Sequence, residues 1–326
     1  MGIKTVLSAK TYIDNSIDKF ERMFGGAIPE SKFPMKEGLH PESDTSQPLS
    51  DEMATRYRAV IGSLNWVVIL GRFDVMYATN TLARFSMIPR TGHLEATIRV
   101  LGYLKKYRDH RILLNPNPID LSTATEKYLE YEGWREFYPE ANEDIPDGLP
   151  DPTPNRKVQI TIMVDADHAH CEVTRRSVTG ILVFVNSTPI RWCSKMQKTV
   201  ETSTYGSELV AARIATDIAL ELRYNIRMMG FGLDGPVNLF GDNQSVILNT
   251  TIPSSQLKKK IHACAYHRIR EMISCKAIRF IHCQSIYNAA DVLTKPLGGI
   301  MHRALVEPIL CGDGVPSLFK RVTTER

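Results

Sequence analysis

The stretch VQITIMVDADHAH, residues 158–170, decides the fold. Its first seven residues alternate β-branched or apolar positions with others, the period of a strand, and they run directly into Asp165 and Asp167. Two further runs follow at short spacing, GILVFV at 180–185 and PIRWCS at 189–194. Three closely spaced strands joined by short turns predict an antiparallel meander. A long helix is predicted over 204–229, with Gly230 closing it as a C-cap. VNLFG at 237–241 reads as a fourth strand, and helical stretches begin at Asn243 and span 266–274. AIRFIH at 277–282 is a fifth strand, and a last helix opens near Ala289. The expected fold class is therefore α/β, one mixed five-stranded sheet with flanking helices.

Upstream, the period changes. Apolar residues at Tyr12, Ile13, Ile17, Phe20 and Phe24 share one helical face over 9–24. Residues 25–50 carry four prolines and no sustained period, which predicts a loop. Helices are then expected over 54–70, 73–87 and 94–107, a small helical bundle. Residues 126–155 are acidic and, from Pro139, rich in proline, the composition of a linker or surface insertion. The expected organisation is a helical region at 1–120, an acidic segment at 121–157 and the α/β domain at 158–326.

Charge follows the same divisions. Residues 1–120 hold 16 basic and 13 acidic side chains, residues 121–158 hold 4 and 9, and residues 159–326 hold 20 and 14. A basic excess on the α/β part is compatible with a polyanionic partner and equally with a solvated basic face. No run approaches the 18 or more apolar residues of a membrane span, and the N-terminus lacks the apolar core of a secretory signal. No membrane partner is expected, and an intracellular location is. The six cysteines show no CxxC pair or zinc-finger spacing, so buried reduced thiols are expected. His168, His170 and Cys171 lie close together, but without a second ligand pair of matching spacing they make a poor transition-metal site.

Four acids occupy the places where an α/β layer brings distant residues together. Asp165 ends the first strand, Glu208 lies in the first turn of the long helix, Asp242 ends the fourth strand and Asp291 opens the last helix. Each alone also fits a plain structural role, as a turn residue, a cap or a macrodipole partner. Converging carboxylates repel, and burying several without a cation is costly. An all-oxygen set suits Mg²⁺, with Mn²⁺ as a substitute. Two such ions about 4 Å apart can activate a water and neutralise the leaving oxygen of an in-line phosphoryl displacement.

The segments VDADHAH, RRSVTGILVFVNSTPIRWCSKMQKTVETSTYGSELVAA, LFGDNQSVI, YHRIRE and NAADVLTKPL resemble the RNase H region of Ty1/copia-type retrotransposon polyproteins. Residues 57–114, YRAVIGSLNWVVILGRFDVMYATNTLARFSMIPRTGHLEATIRVLGYLKKYRDHRILL, are similar to the thumb and connection of the same family's reverse transcriptases. The resemblance implies Asp165, Glu208, Asp242 and Asp291 as catalytic metal ligands. It implies Arg176, Lys195, Gln197, Asn243 and Lys295 as candidates for nucleic-acid contacts. His282 is near the place where cellular RNases H carry a histidine that assists product release.

The implied activity is Mg²⁺-dependent, endonucleolytic hydrolysis of the RNA strand of an RNA/DNA hybrid. A cytoplasmic, particle-associated or nuclear location is implied with it, as are a separately encoded reverse transcriptase palm or a parent polyprotein as partners. No YxDD-type palm motif occurs, so the chain is not expected to polymerise DNA unaided. Two places depart from the family pattern: His168 stands where tryptophan is usual, and Lys260, Ile261, His262 and Ala263 replace a K-H-I-D stretch. The alternative reading is a catalytically silent retroelement fragment that serves only as a nucleic-acid-binding or partner-docking module.

Overall fold

A computed structural model of the chain describes residues 5–125, 128 and 130–320. It opens with a short strand β1 (Val6–Ser8), followed by helices α1 (Lys10–Phe24), α2 (Asp51–Ile69), α3 (Met76–Ala83) and α4 (Thr91–Lys106) and by strand β2 (Arg111–Leu113), which pairs antiparallel with β1. The four helices are those the apolar period predicts, with one shortened. The expected helix at 73–87 begins as a 3-10 turn, Phe73–Val75, and ends at Ala83. Around that turn the Arg72 guanidinium grips both Asp74 oxygens, at 2.9 and 2.7 Å, inside the protein. Tyr103 of α4 donates to Asp74 at 2.9 Å, so the polar knot is satisfied. Ile13, Ile17 and Phe20 of α1 meet Tyr57, Val60, Ile61 and Leu64 of α2 and Val100, Leu101 and Leu104 of α4 in one core.

Two short helices, α5 (Ser122–Thr125) and α6 (Trp134–Phe137), precede a short strand β3 (Lys157–Val158). Then come β4 (Ile160–Asp167), β5 (Val178–Val185), β6 (Thr188–Met196), helix α7 (Thr204–Met228), the short β7 (Gly232–Leu233), β8 (Val237–Gly241), α8 (Gln244–Thr251), α9 (Ala263–Ser274), β9 (Ile278–His282) and α10 (Gly299–Leu310). The sheet order is β6-β5-β4-β8-β9, antiparallel among β6, β5 and β4 and parallel among β4, β8 and β9. This is the mixed five-stranded sheet with flanking helices expected from the sequence.

Strand β4 is buried on both faces because each face has its own cover. Ile160, Ile162, Val164 and Ala166 pack under α7 and α9, where Ala211, Ala212 and Ala215 let α7 lie close to the sheet. Met163, with Leu182, Phe184, Phe240 and Ile281, faces α10 and the 3-10 turn Ala289–Leu293, joined there by Phe73 and Ile112 from the N-terminal part. The two parts are thus built into each other. Trp192 of β6 donates to the Val68 carbonyl at 3.1 Å, and Asn80 of α3 donates to the Ser194 carbonyl at 2.8 Å.

The acidic segment lies on the helices. Glu143 accepts from Arg223 and Arg227 of α7, and buried Arg270 of α9 donates to the Tyr138 hydroxyl at 3.0 Å. The cysteines are all free, but Cys264 and Cys311 are exposed, contrary to the expectation of buried thiols. Among the described residues no helix is long and apolar enough to cross a membrane.

Candidate active site

Parallel pairing of β4, β8 and β9 brings their C-terminal ends to one edge of the sheet. Antiparallel pairing adds the start of β5 and the end of β6 to that edge, with Asp165 opposite Gly180 and Gly180 opposite Ser194. Asp165 sits inside β4, two residues before its end, and Asp242 follows the last residue of β8. Helix α7 starts at the same edge, capped by Ser203, whose hydroxyl accepts from the Gly206 amide. Gln197, just beyond β6, fixes this junction by donating to the Ser207 carbonyl at 2.9 Å and to the Thr179 hydroxyl at 3.0 Å. One carboxylate oxygen each of Asp165, Glu208 and Asp242 then lie within 4.8 Å of one another. This is the one such cluster of His, Cys, Asp or Glu among the described residues.

Asp291 arrives differently from the expectation. It lies on the 3-10 turn Ala289–Leu293 rather than in an opening helix, and α10 begins eight residues later, at Gly299. Pro296 explains the interruption, since it disfavours helical backbone at Lys295 and carries no amide hydrogen. Asn288 anchors the turn to β4: its amide nitrogen donates to the Val164 carbonyl at 2.9 Å, and its side-chain oxygen accepts from the Ala290 amide at 3.2 Å. Gly180 makes room for it. A Cβ there would stand 2.6 Å from Thr294 Cγ2 and 2.7 Å from the Ala290 carbonyl oxygen. The Thr294 hydroxyl donates to Asp165 Oδ2, and Lys295 Nζ lies 3.0 Å from Asp291 Oδ2 and 3.7 Å from Asp165 Oδ2. Asp291 is therefore beside Asp165, outside the close set of three.

The electrostatics follow from burial and crowding. Burial raises the pKa of Asp165, and Asp242 adds to it against the opposing pull of Lys295 and Thr294. Burial, then Asp165 and Asp242, push Glu208 well above the carboxylate range, and burial followed by Asp165 pushes Asp291 up to about 8. Burial would depress Lys295, but Asp165 and Asp291 outweigh it, so the ammonium keeps its charge. Asp291 Oδ1 is buried without a hydrogen-bond partner. Crowded, buried oxygens of this kind, with one left unpaired, could hold a hard divalent cation.

The other predicted residues divide between the solvent and the scaffold. Arg176, in the loop before β5, and Lys195, in β6, are exposed at the site edge. His282 is also exposed, and its Nε2 donates to the Asp242 carbonyl at 3.2 Å. Gln197 is buried at 4% exposure, so it braces the site from within. Asn243 caps α8, accepting from the Val246 amide at 3.1 Å. His170 is engaged between the Tyr77 hydroxyl and Asp167.

The departing stretch around His262 packs beneath the first turn of α7, where a Cβ at Gly206 would stand 2.8 Å from His262 Cε1. Asn288, Thr294 and Gly180 are supporting residues that the sequence reading passed over. The N-x-x-D spacing of Asn288 and Asp291, a cap pattern, was the available signal.

No protein-family model matches the chain. Its curated homologues include retrovirus-related Pol polyproteins of copia-type transposons. It is 27% identical over 247 residues to the Pol polyprotein from transposon RE1 of Arabidopsis thaliana, covering 74% of this chain and 14% of the polyprotein. With the Pol polyprotein from transposon TNT 1-94 of Nicotiana tabacum it shares 26% identity over 239 residues, 73% of this chain and 15% of that one. The chain thus spans about a seventh of the length of these relatives. Among solved structures, the N-terminal RNase H domain of a Mycobacterium tuberculosis protein is similar over 42% of this chain and 91% of its own, with a TM-score of 0.34 and 14% identity.

Proposed function

We propose, from the premise that the chain carries an RNase H-like domain homologous to copia-type Pol polyproteins, that it is a metal-dependent nuclease cutting the RNA strand of RNA/DNA hybrids. The observation that carries the reading is the meeting of Asp165, Glu208 and Asp242 oxygens within 4.8 Å, with Asp291 alongside. In this reading the four carboxylates hold Mg²⁺, or Mn²⁺ in its place. The raised pKa values and the orphaned Asp291 oxygen fit that role, because a divalent cation relieves both.

When bound, divalent ions supply an activated water and neutralise charge on the phosphate and the leaving oxygen. The chain's own residues do the positioning. Asn288 and Thr294 hold Asp291 and Asp165 in register, and Gln197 holds the α7 turn that presents Glu208. Arg176 and Lys195, exposed at the same edge, grip backbone phosphates, while the 2′-hydroxyls in the shallow minor groove identify the RNA strand. His282, exposed and 3.2 Å from the Asp242 carbonyl, assists release of the cut strand in this reading. Exposed apolar side chains, Trp66 and Ile69 on α2 and Met87 and Ile88 after α3, are available for contact with the rest of a Pol polyprotein or a separate palm.

The test is cleavage of a labelled RNA/DNA hybrid by the purified chain in Mg²⁺ or Mn²⁺, with Asp242→Asn as control. The expected outcome is cuts in the RNA strand that leave 3′-hydroxyl and 5′-phosphate ends. The variant should lose more than the roughly 10–100-fold that a merely supporting residue costs. An intact hybrid in both ions, or equal cutting by the variant, sinks the proposal.

A further inference from the structure

The four carboxylates are not equivalent in the resting site. Asp165, Glu208 and Asp242 form a set tight enough for one ion, whereas Asp291 is engaged by a cation the chain itself supplies. Lys295 Nζ lies 3.0 Å from Asp291 Oδ2 and 3.7 Å from Asp165 Oδ2, and its side chain is one-third exposed. The ammonium is held there by the backbone as well as by charge. Lys295 sits at the end of the 3-10 turn, where its amide donates back to the Asp291 carbonyl, and Pro296 fixes the chain direction beyond it. Thr294 donates to the same Asp165 oxygen. A divalent ion entering between Asp165 and Asp291 would meet a positive charge at contact distance in surroundings that screen it poorly.

We infer that Lys295 occupies the second cation position of the resting site. Free of nucleic acid, the protein binds one divalent ion, at Asp165, Glu208 and Asp242. A second ion enters only when the ammonium withdraws, and the partial exposure of the side chain gives it a way out toward a substrate phosphate. Asp291 Oδ1, buried without a partner, is then a ready donor for the incoming ion. Lys295 is thereby a positioning residue that ties loading of the second ion to arrival of the polyanion. The inference rests on the nuclease reading above.

The experiment is Mn²⁺ binding to the full chain without nucleic acid, by titration calorimetry and by electron paramagnetic resonance of the free ion. Wild type, Lys295→Gln and Lys295→Arg are compared, each checked for folding by thermal melting. Wild type and the arginine variant should bind one ion and the glutamine variant two. Two equally tight ions on wild type overturn the inference whether or not Lys295→Gln folds, and so does a folded glutamine variant that still takes one. Hybrid cleavage by the same wild-type preparation separates the two claims. A protein that cuts but binds two ions defeats only the role of Lys295. A protein that neither cuts nor binds Mn²⁺ defeats the nuclease reading and this inference with it.

Discussion

The Tyr77 hydroxyl and His170 Nε2 lie 2.6 Å apart and join the N-terminal helical part of the chain to the loop that leaves the site strand. His170 Nδ1 is in turn 2.6 Å from Asp167 Oδ2, two residues beyond Asp165. The same loop is held at further points: Arg84 reaches Cys171 Sγ at 3.4 Å, the Glu172 amide donates to Glu42 at 2.9 Å, and Ser43 donates to the Glu172 carboxylate at 2.5 Å. Arg176, at the end of this loop, therefore owes its position to residues more than 90 places away in the sequence.

Tyr77→Phe removes only the hydroxyl and leaves a buried imidazole nitrogen without its partner. The expected loss is about 1–3 kcal/mol of stability, read from denaturant unfolding. On hybrid cleavage the variant should raise KM more than it lowers kcat, because the loop bearing Arg176 loosens while the carboxylates keep their own supports. Unchanged stability together with an unchanged KM would show that the contact positions nothing.

Gly180→Ala tests the seat of the Asp291 turn. The added Cβ would stand 2.6 Å from Thr294 Cγ2, 2.7 Å from the Ala290 carbonyl oxygen and 3.0 Å from Leu293 Cβ. The carbonyl is backbone, so the turn itself must shift. Overpacking of this kind costs roughly 1–3 kcal/mol, and Asp291 moves with the turn. Thermal melting should detect the loss, and Mn²⁺ binding should weaken alongside it. A variant as stable as wild type, with unchanged ion binding, would mean that the turn yields freely.

Much of this was legible in the sequence because it depends on local periods. The strands from Ile160 to His282 announce themselves by β-branched alternation, and once their order is known the edge that gathers Asp165 and Asp242 follows. What sequence could not supply are partners set by the packing of distant segments. From sequence Lys295 and Gln197 are only candidates for touching nucleic acid, whereas the fold sets Lys295 against two carboxylates and buries Gln197 against the start of α7. The last helix departs from the apolar period because Pro296 divides one helical-looking stretch into a 3-10 turn and a later helix. The acidic segment has the composition of a linker, yet Glu143 finds two arginines of α7 across some 80 residues.

That clamp carries its own prediction. Arg223 is buried, and Glu143 accepts from it at 2.7 Å through both oxygens while also meeting Arg227. Burial alone would raise the pKa of Glu143, but hydrogen bonds from Arg223 and Arg227 bring it down to about 2. Glu143→Gln should cost about 2–4 kcal/mol, somewhat below the roughly 3–5 kcal/mol for breaking a fully buried pair. Limited proteolysis should then cut within residues 139–156 sooner than in wild type. Equal resistance to protease would show that the segment is held by its apolar contacts instead.

Metal removal should give the protein a stability that falls as pH rises. Asp165, Glu208 and Asp291 all have folded pKa values above their ordinary ones, Asp291 at about 8 against 3.8. Between the ordinary and the raised value the folded state binds more protons than the unfolded state, so the stability Asp291 contributes is complete below about pH 4 and is lost through about pH 8, and the raised Asp165 and Glu208 act in the same direction. One such proton gives a slope of at most about 1.4 kcal/mol per pH unit. Other groups titrate in the same range, buried His302 among them with its pKa lowered by burial, so the informative quantity is a difference between variants. In EDTA, unfolding free energy should decline more steeply from pH 5 to pH 8 in wild type than in Asp291→Asn, which has no proton to lose there. Saturating Mn²⁺ should flatten the wild-type curve, since the ion takes the place of the protons. Parallel curves for the two proteins in EDTA would contradict the raised pKa of Asp291, and a slope unmoved by Mn²⁺ would contradict the ion's place among these carboxylates.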